Sequence, residues 1–189
     1  MFKELIELDK QLFLYLNGMG APFWDSFWLY MSRTLSFVTI PIFLFLVFYL
    51  YQKFGYKKTA IAIITVSLLL LCTEQLSVLV KQGTERLRPC YDDEIQEVMR
   101  SVKSYCGGIY SYFSAHAANS VALASFFSIL FKKETKVLGF ILLIWALLVS
   151  YSRIYIGVHF PLDVITGISV GVLLGWFFAK LYVLVLGKI

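Results

Sequence analysis

From residue 59 to residue 80 the chain runs for twenty-two residues with one acidic or basic side chain, Glu74. Such a stretch suits a helix that crosses a bilayer. The hydrocarbon core offers no water to backbone N–H and C=O groups, so about 20 apolar residues must satisfy one another internally. Runs at 113–131, 137–156 and 162–186 have the same character, and a fifth, 35–52, is shorter and carries Pro41. Residues are 59% hydrophobic and only 15% charged, which excludes an ordinary water-soluble domain. The expected fold is all-α: a polytopic membrane helix bundle of about five transmembrane helices, preceded by N-terminal amphipathic and interfacial helices.

Ahead of these runs, MFKELIELDKQLFLYLNGMG interleaves acidic and apolar residues at helical spacing. It lacks the short apolar core and small-residue cleavage site of a signal peptide, and is expected to stay as an amphipathic helix at the interface. APFWDSFWLYMSR follows, rich in Trp and Tyr as headgroup-level segments are. Residues 1–34 thus read as an interfacial segment. No repeat, low-complexity tract or linker divides the chain, so residues 1–189 read as one domain.

The net charge of +5 raises the question of nucleic acid, but the lysines stand just outside the apolar runs instead of forming a basic patch. Nucleic acid is therefore not expected as a partner. Lys53, Lys57 and Lys58, then Lys132, Lys133 and Lys136, then Lys180 and Lys188 mark three cytoplasmic segments by the positive-inside rule. The loop 81–111 then lies on the extracytoplasmic side, with the N-terminus and the short connection 153–161.

That side gathers the chemistry. Lys81, Arg86 and Arg88 crowd the start of the long loop, and Pro89 stops helical continuation. Glu85 and Arg86 are expected in solvated loop. Cys90 and Cys106 bracket the acidic part of the loop and could pair in an oxidising compartment, while Cys72 sits in an apolar run. Ser114 and His116 open the next apolar run, where the first turn of a helix presents unpaired N–H groups to an anion; Asn119, one turn on, is a candidate partner for His116. In SRIYIGVHFPLD, Pro161 suits the first position of a helix, which puts Asp163 in the first turn and within reach of His159.

A carboxylate on one ring nitrogen fixes the tautomer and makes the other nitrogen a better nucleophile or base. Arg153 supplies a planar fork for phosphate oxygens. Cations, two histidines, a serine and a carboxylate on one face suit phosphoryl transfer, in which catalysis is mostly positioning and charge stabilisation. No metal site is expected, since two histidines without zinc-ligand spacing make a poor ligand set. Glu74 lies two turns before Lys81 and is expected to support the site from beneath. Gly167, Gly171 and Gly175 form a small-residue stripe suited to close helix packing within the bundle.

These motifs resemble the type 2 phosphatidic acid phosphatase (PAP2) superfamily, whose signature is K-x6-R-P, then P-S-G-H, then S-R-x5-H-x3-D. Lys81, Arg88 and Pro89 match the first, and Ser152, Arg153, His159 and Asp163 match the third. The middle motif departs from it as FSAH, residues 113–116, with Phe for Pro and Ala for Gly; Ser114 and His116 survive. The resemblance implies a membrane lipid phosphatase that uses no metal or other cofactor. His159 would attack phosphorus and become phosphohistidine, Asp163 would orient it, and His116 would protonate the leaving oxygen and then activate water. Lys81, Arg88, Ser114 and Arg153 would hold the phosphate. The site would face the periplasm from a bacterial inner membrane. Undecaprenyl diphosphate is favoured as substrate by likeness to small five-span enzymes; lipid A phosphate, phosphatidylglycerol phosphate and phosphatidate stay open. Rival readings are a lipid-to-lipid phosphotransferase and a non-catalytic lipid-phosphate binder or transporter. Oligomeric state is left open.

Overall fold

The structure, a computed structural model, describes residues 2–33, 39–133 and 135–186. The start of the 35–52 run and Lys188 lie outside the described residues. Two helices come first, α1 (Phe2–Gly18) and α2 (Pro22–Met31), followed by α3 (Thr39–Thr84), α4 (Ala115–Leu130), α5 (Lys136–Tyr155) and α6 (Pro161–Leu186). No strand forms among the described residues beyond an isolated antiparallel bridge, Leu87 to Tyr110. The fold is all-helical, as the runs of apolar residues require.

Three helices, α3, α5 and α6, are long and apolar enough to cross a membrane, and α4 is a shorter apolar helix. The 46 residues of α3 contain both the 39–52 and 59–80 runs, joined across a kink at Gly55, whose left-handed φ of 77° a glycine adopts easily. About five apolar segments thus arise from four helices. Leu44, Phe48, Leu68, Phe140, Leu173 and Trp176 all face outward, and exposed apolar surface on this scale belongs in lipid. The chain is an integral membrane protein.

The tightest helix pair is α4 against α6. A Cβ at Gly167, Gly171 or Gly175 would come within 2.6, 2.5 and 2.5 Å of the carbonyl oxygens of Ser114, Ala118 and Ala122. The small-residue stripe therefore serves packing inside the bundle, and brings the start of α4 against the start of α6.

The helix α1 turns its polar side inward. Asp9, Phe13 and Asn17 are buried, while Leu5, Leu8, Leu12, Tyr15 and Met19 are exposed at the three- and four-residue steps of one helical face. An apolar stripe facing away from the protein is what an interfacial helix presents to lipid. Asn17 donates to the carbonyls of Arg100 (3.1 Å) and Tyr155 (2.9 Å) and accepts from Arg100 N–H (2.8 Å), which ties α1 to the long loop and to the end of α5. Lys10 pairs with Asp92 (2.9 Å) and Glu94 (2.6 Å) of the same loop.

Candidate active site

The end of α5 and the start of α6 build the centre of the site. Gly157 N–H donates to Ile154 C=O (3.0 Å) and Val158 N–H to Arg153 C=O (3.1 Å), the two bonds of a Schellman stop, with Gly157 left-handed at φ 82°. The turn leaves Arg153 on the last turn of α5 and His159 just before Pro161, the first residue of α6. Asp163 reaches back from the first turn of α6: one carboxylate oxygen accepts Phe160 N–H (2.9 Å) and stands 3.4 Å from His159 Nδ1. Helix capping and imidazole orientation are thus one act of one side chain. With Nδ1 turned to the carboxylate, Nε2 is the ring atom left for chemistry.

The other carboxylate oxygen of Asp163 accepts Arg86 Nη1 (2.9 Å), and Arg86 Nη2 pairs with Asp9 (2.5 Å). The guanidinium lies 4.4 Å over the Phe160 ring. Asp9 in turn accepts Leu162 N–H (2.8 Å), one of the unpaired donors of α6. Arg86 is therefore not solvated loop, as expected from its sequence, but a half-buried bridge from α1 to the carboxylate behind His159. Asp9 and Arg86 were missed because each is ordinary alone; the available signal was Asp9 on the polar side of an amphipathic helix.

Ser114 N-caps α4: its side chain accepts Ala117 N–H (3.5 Å) and its own N–H donates to Asp163 C=O (3.0 Å). The two helix starts are stitched together there, with His116 in the first turn of α4. Arg88 is buried and fixed by bonds from Nε to Tyr110 C=O (3.2 Å) and from Nη1 to Cys106 C=O (2.9 Å). Cys106 itself is joined to Cys90 by a disulfide, so the cross-link holds the acceptor that sets the Arg88 fork. Arg153 is buried, bonds to Ser32 through Nη1, and keeps Nε without a partner. Lys81, on the last turns of α3, shares its electrostatic surroundings with Arg88, Arg153 and Asp163. All seven side chains expected from the sequence thus come to one place.

His159 is 2% exposed. Burial first, then the charges of Arg153, Arg88, Lys81 and Arg86, push its pKa well below the ordinary imidazole value, so the ring stays neutral and its lone pair available. A cluster of cations around a neutral, carboxylate-oriented imidazole has the chemistry to bind an anion and to act on it as a nucleophile or base. Among the described residues no cluster of three or more His, Cys, Asp or Glu side chains would hold a metal ion.

One supporting expectation changes. Asn119 does not turn to His116: its Nδ2 donates to Glu74 (2.5 Å). Glu74 accordingly engages an amide directly, and lies with His116 and Asn119 on an apolar cavity of about 310 Å³ between α3, α4 and α5, floored by residues such as Leu123, Phe127 and Trp145. A second cavity of about 520 Å³ is lined by Leu29, Ser32, Arg33, Lys103, His116, Arg153 and Ile156. His116 and Arg33 line both.

A bundle exposed to lipid, with an imidazole–carboxylate pair among cations at one end and an apolar cavity lined in part by His116, fits a membrane-embedded phosphatase. The family model described as the PAP2 superfamily matches residues 59–185, and the chain belongs to that superfamily. It is 37% identical over 182 residues to the lipid A 4′-phosphatase of Porphyromonas gingivalis, which covers 94% of this chain and 74% of that protein. The lipid A 4′-phosphatase of Bacteroides thetaiotaomicron is 32% identical over 181 residues, 94% of this chain and 78% of that one. The crystal structure of Aquifex aeolicus LpxE superposes with a TM-score of 0.65 at 26% identity, covering 90% of this chain and 93% of that one.

Proposed function

We propose that the chain removes the 4′-phosphate of lipid A, with His159 as nucleophile and a phosphohistidine intermediate. The observation that carries the mechanism is the His159–Asp163 contact set inside the ring of Arg153, Arg88 and Lys81. Nε2 of His159 attacks phosphorus in line with the sugar oxygen. His116 protonates that oxygen as the P–O bond breaks, and then takes a proton from the water that cleaves the P–N bond. Lys81, Arg88, Ser114 and Arg153 hold the phosphate oxygens through both steps. Two relatives that align with 94% of the chain are lipid A 4′-phosphatases, which moves the weight from undecaprenyl diphosphate to lipid A.

The site opens at the extracytoplasmic face of a bacterial inner membrane. The lysines at the opposite ends of the helices support this orientation, as does the Cys90–Cys106 disulfide beside the site, since such bonds persist in oxidising compartments.

Purified protein in detergent micelles, given lipid A with both phosphates, should release inorganic phosphate without an acceptor lipid and with chelator present. His159→Ala should lower the rate at least about a thousandfold, as loss of a nucleophile does. Full turnover by that variant would sink the mechanism. Phosphate passed to a second lipid, with none released, would make the chain a transferase.

A further inference from the structure

The second cavity, with Arg33, Lys103, His116 and Arg153 in its lining, is larger than the reaction needs. A single phosphate, at a few times the roughly 30 Å³ share of a water molecule, fills a minor part of about 520 Å³. Arg153 and His116, two of the side chains expected at the reacting phosphate, are among its lining residues. Arg33 and Lys103 line the same space; neither falls in the three sequence motifs, and Arg33 lies outside the residues that the family model matches. No carboxylate lines this cavity, and no ion pair neutralises Arg33 or Lys103 among the described residues. Arg153, which also lines the cavity, keeps its buried Nε without a partner. Two other cations nearby do find carboxylates, Arg86 with Asp9 and Asp163 and Arg100 with Asp25 at 2.6 Å, whereas Arg88 and Arg153, expected to hold the reacting phosphate, bond only backbone carbonyls and Ser32 among the described residues.

We propose that Arg33 and Lys103 form a second anion subsite, which holds a further acidic group of the substrate beyond the phosphate that reacts. The inference rests on the lipid phosphatase reading above. Partial burial and then the charges of Arg153 and Arg88 push the Lys103 ammonium below its ordinary pKa, a repulsion that a bound anion relieves. Arg33 and His116 also line the apolar cavity, so a lipid with its chain there would touch two of the side chains that border the space of Lys103. A phosphate monoester with no second charge leaves this subsite without an ion. The chemistry it reads, a second phosphate, is found both on the far sugar of lipid A and at the inner position of a prenyl diphosphate.

The test compares wild type, Arg33→Gln, Lys103→Gln and Lys103→Arg in detergent micelles on two lipid pairs. One pair is lipid A with both phosphates against lipid A with the 4′-phosphate alone; the other is undecaprenyl diphosphate against undecaprenyl phosphate. Phosphate release and stabilisation against heat on lipid addition are both measured. Each Gln variant should lower the preference for the doubly charged lipid about tenfold in at least one pair, through KM more than kcat, as loss of one charge-assisted contact does. Lys103→Arg should keep most of that preference. The pair in which the ratio moves identifies the source of the second phosphate. Equal losses on singly and doubly charged lipids, or unchanged ratios in both pairs, overturn the inference. Failure of wild type to release phosphate from any of the four lipids ends the phosphatase reading instead, and the binding ratios still decide the subsite.

Discussion

Asp163 shows how much one side chain can carry. Its two oxygens cap α6, face His159 Nδ1 and meet Arg86, all without exposure to water. Arg86→Gln keeps a polar side chain but removes the charge between two buried carboxylates. Breaking such a buried pair costs about 3 kcal/mol, near the low end of the usual range because Arg86 keeps some water contact. The same change should alter the pH dependence. His159 is faced by Arg153 from α5, Lys81 from α3, Arg86 and Arg88 from the loop, and Asp163 from α6. Removing one cation and freeing the Asp163 charge both favour the imidazolium, so the His159 pKa rises. Less neutral imidazole then remains at acid pH, and the acid limb of kcat/KM should move to higher pH in the variant. An acid limb that stays in place would show that Arg86 is structural only.

Among the helices, the contact of α4 with α6 decides whether Ser114 and Asp163 meet. The Cβ positions at Gly167, Gly171 and Gly175 point straight at α4 carbonyls, so this interface has no slack. Gly171→Leu should destabilise by about 1–3 kcal/mol or more through overpacking, read as a lower melting temperature in detergent, and should cut activity by parting the two helix starts. Gly18, with nothing within 4 Å of its Cβ position, is the control: Gly18→Ala should stay within about 0.5 kcal/mol. Equal effects from both would deny the close approach. The helix α1 also belongs here, since Asp9 gives it a direct contact with Leu162 N–H and, through Arg86, with Asp163.

For the molecule as a whole, the loop 85–114 joins α3 to α4 and is held at three places: by Lys10, by Asn17 and by the disulfide. The cross-link spans a sequence separation of 16, and closing a loop of that size is worth about 3 kcal/mol in the chain-entropy account. A Cys90→Ser, Cys106→Ser variant, or mild reduction of the native protein, should lower thermal stability and raise KM more than it changes kcat, because the carbonyl that fixes Arg88 is released. Unchanged KM after full reduction would show that Arg88 is positioned by Tyr110 alone.

The apolar runs announced a membrane bundle because the bilayer demand is local: a run of about 20 residues satisfies its own backbone whatever its neighbours do. The three motifs were legible for a related reason, since Asp163 sits one helical turn from His159 and meets it through local geometry alone. The glycine stripe likewise had a period readable in one helix. Arg86, Asp9, Asn17, Arg33 and Lys103 were not legible. Their partners lie 77 residues away for Arg86 and Asp163, and 138 for Asn17 and Tyr155, and nothing in the intervening chain records the approach. Only the packing of α1 and α2 across the ends of α5 and α6 brings those groups to the site. The chemistry was written in short spacings; the walls of the cavity around it exist only where distant helices meet.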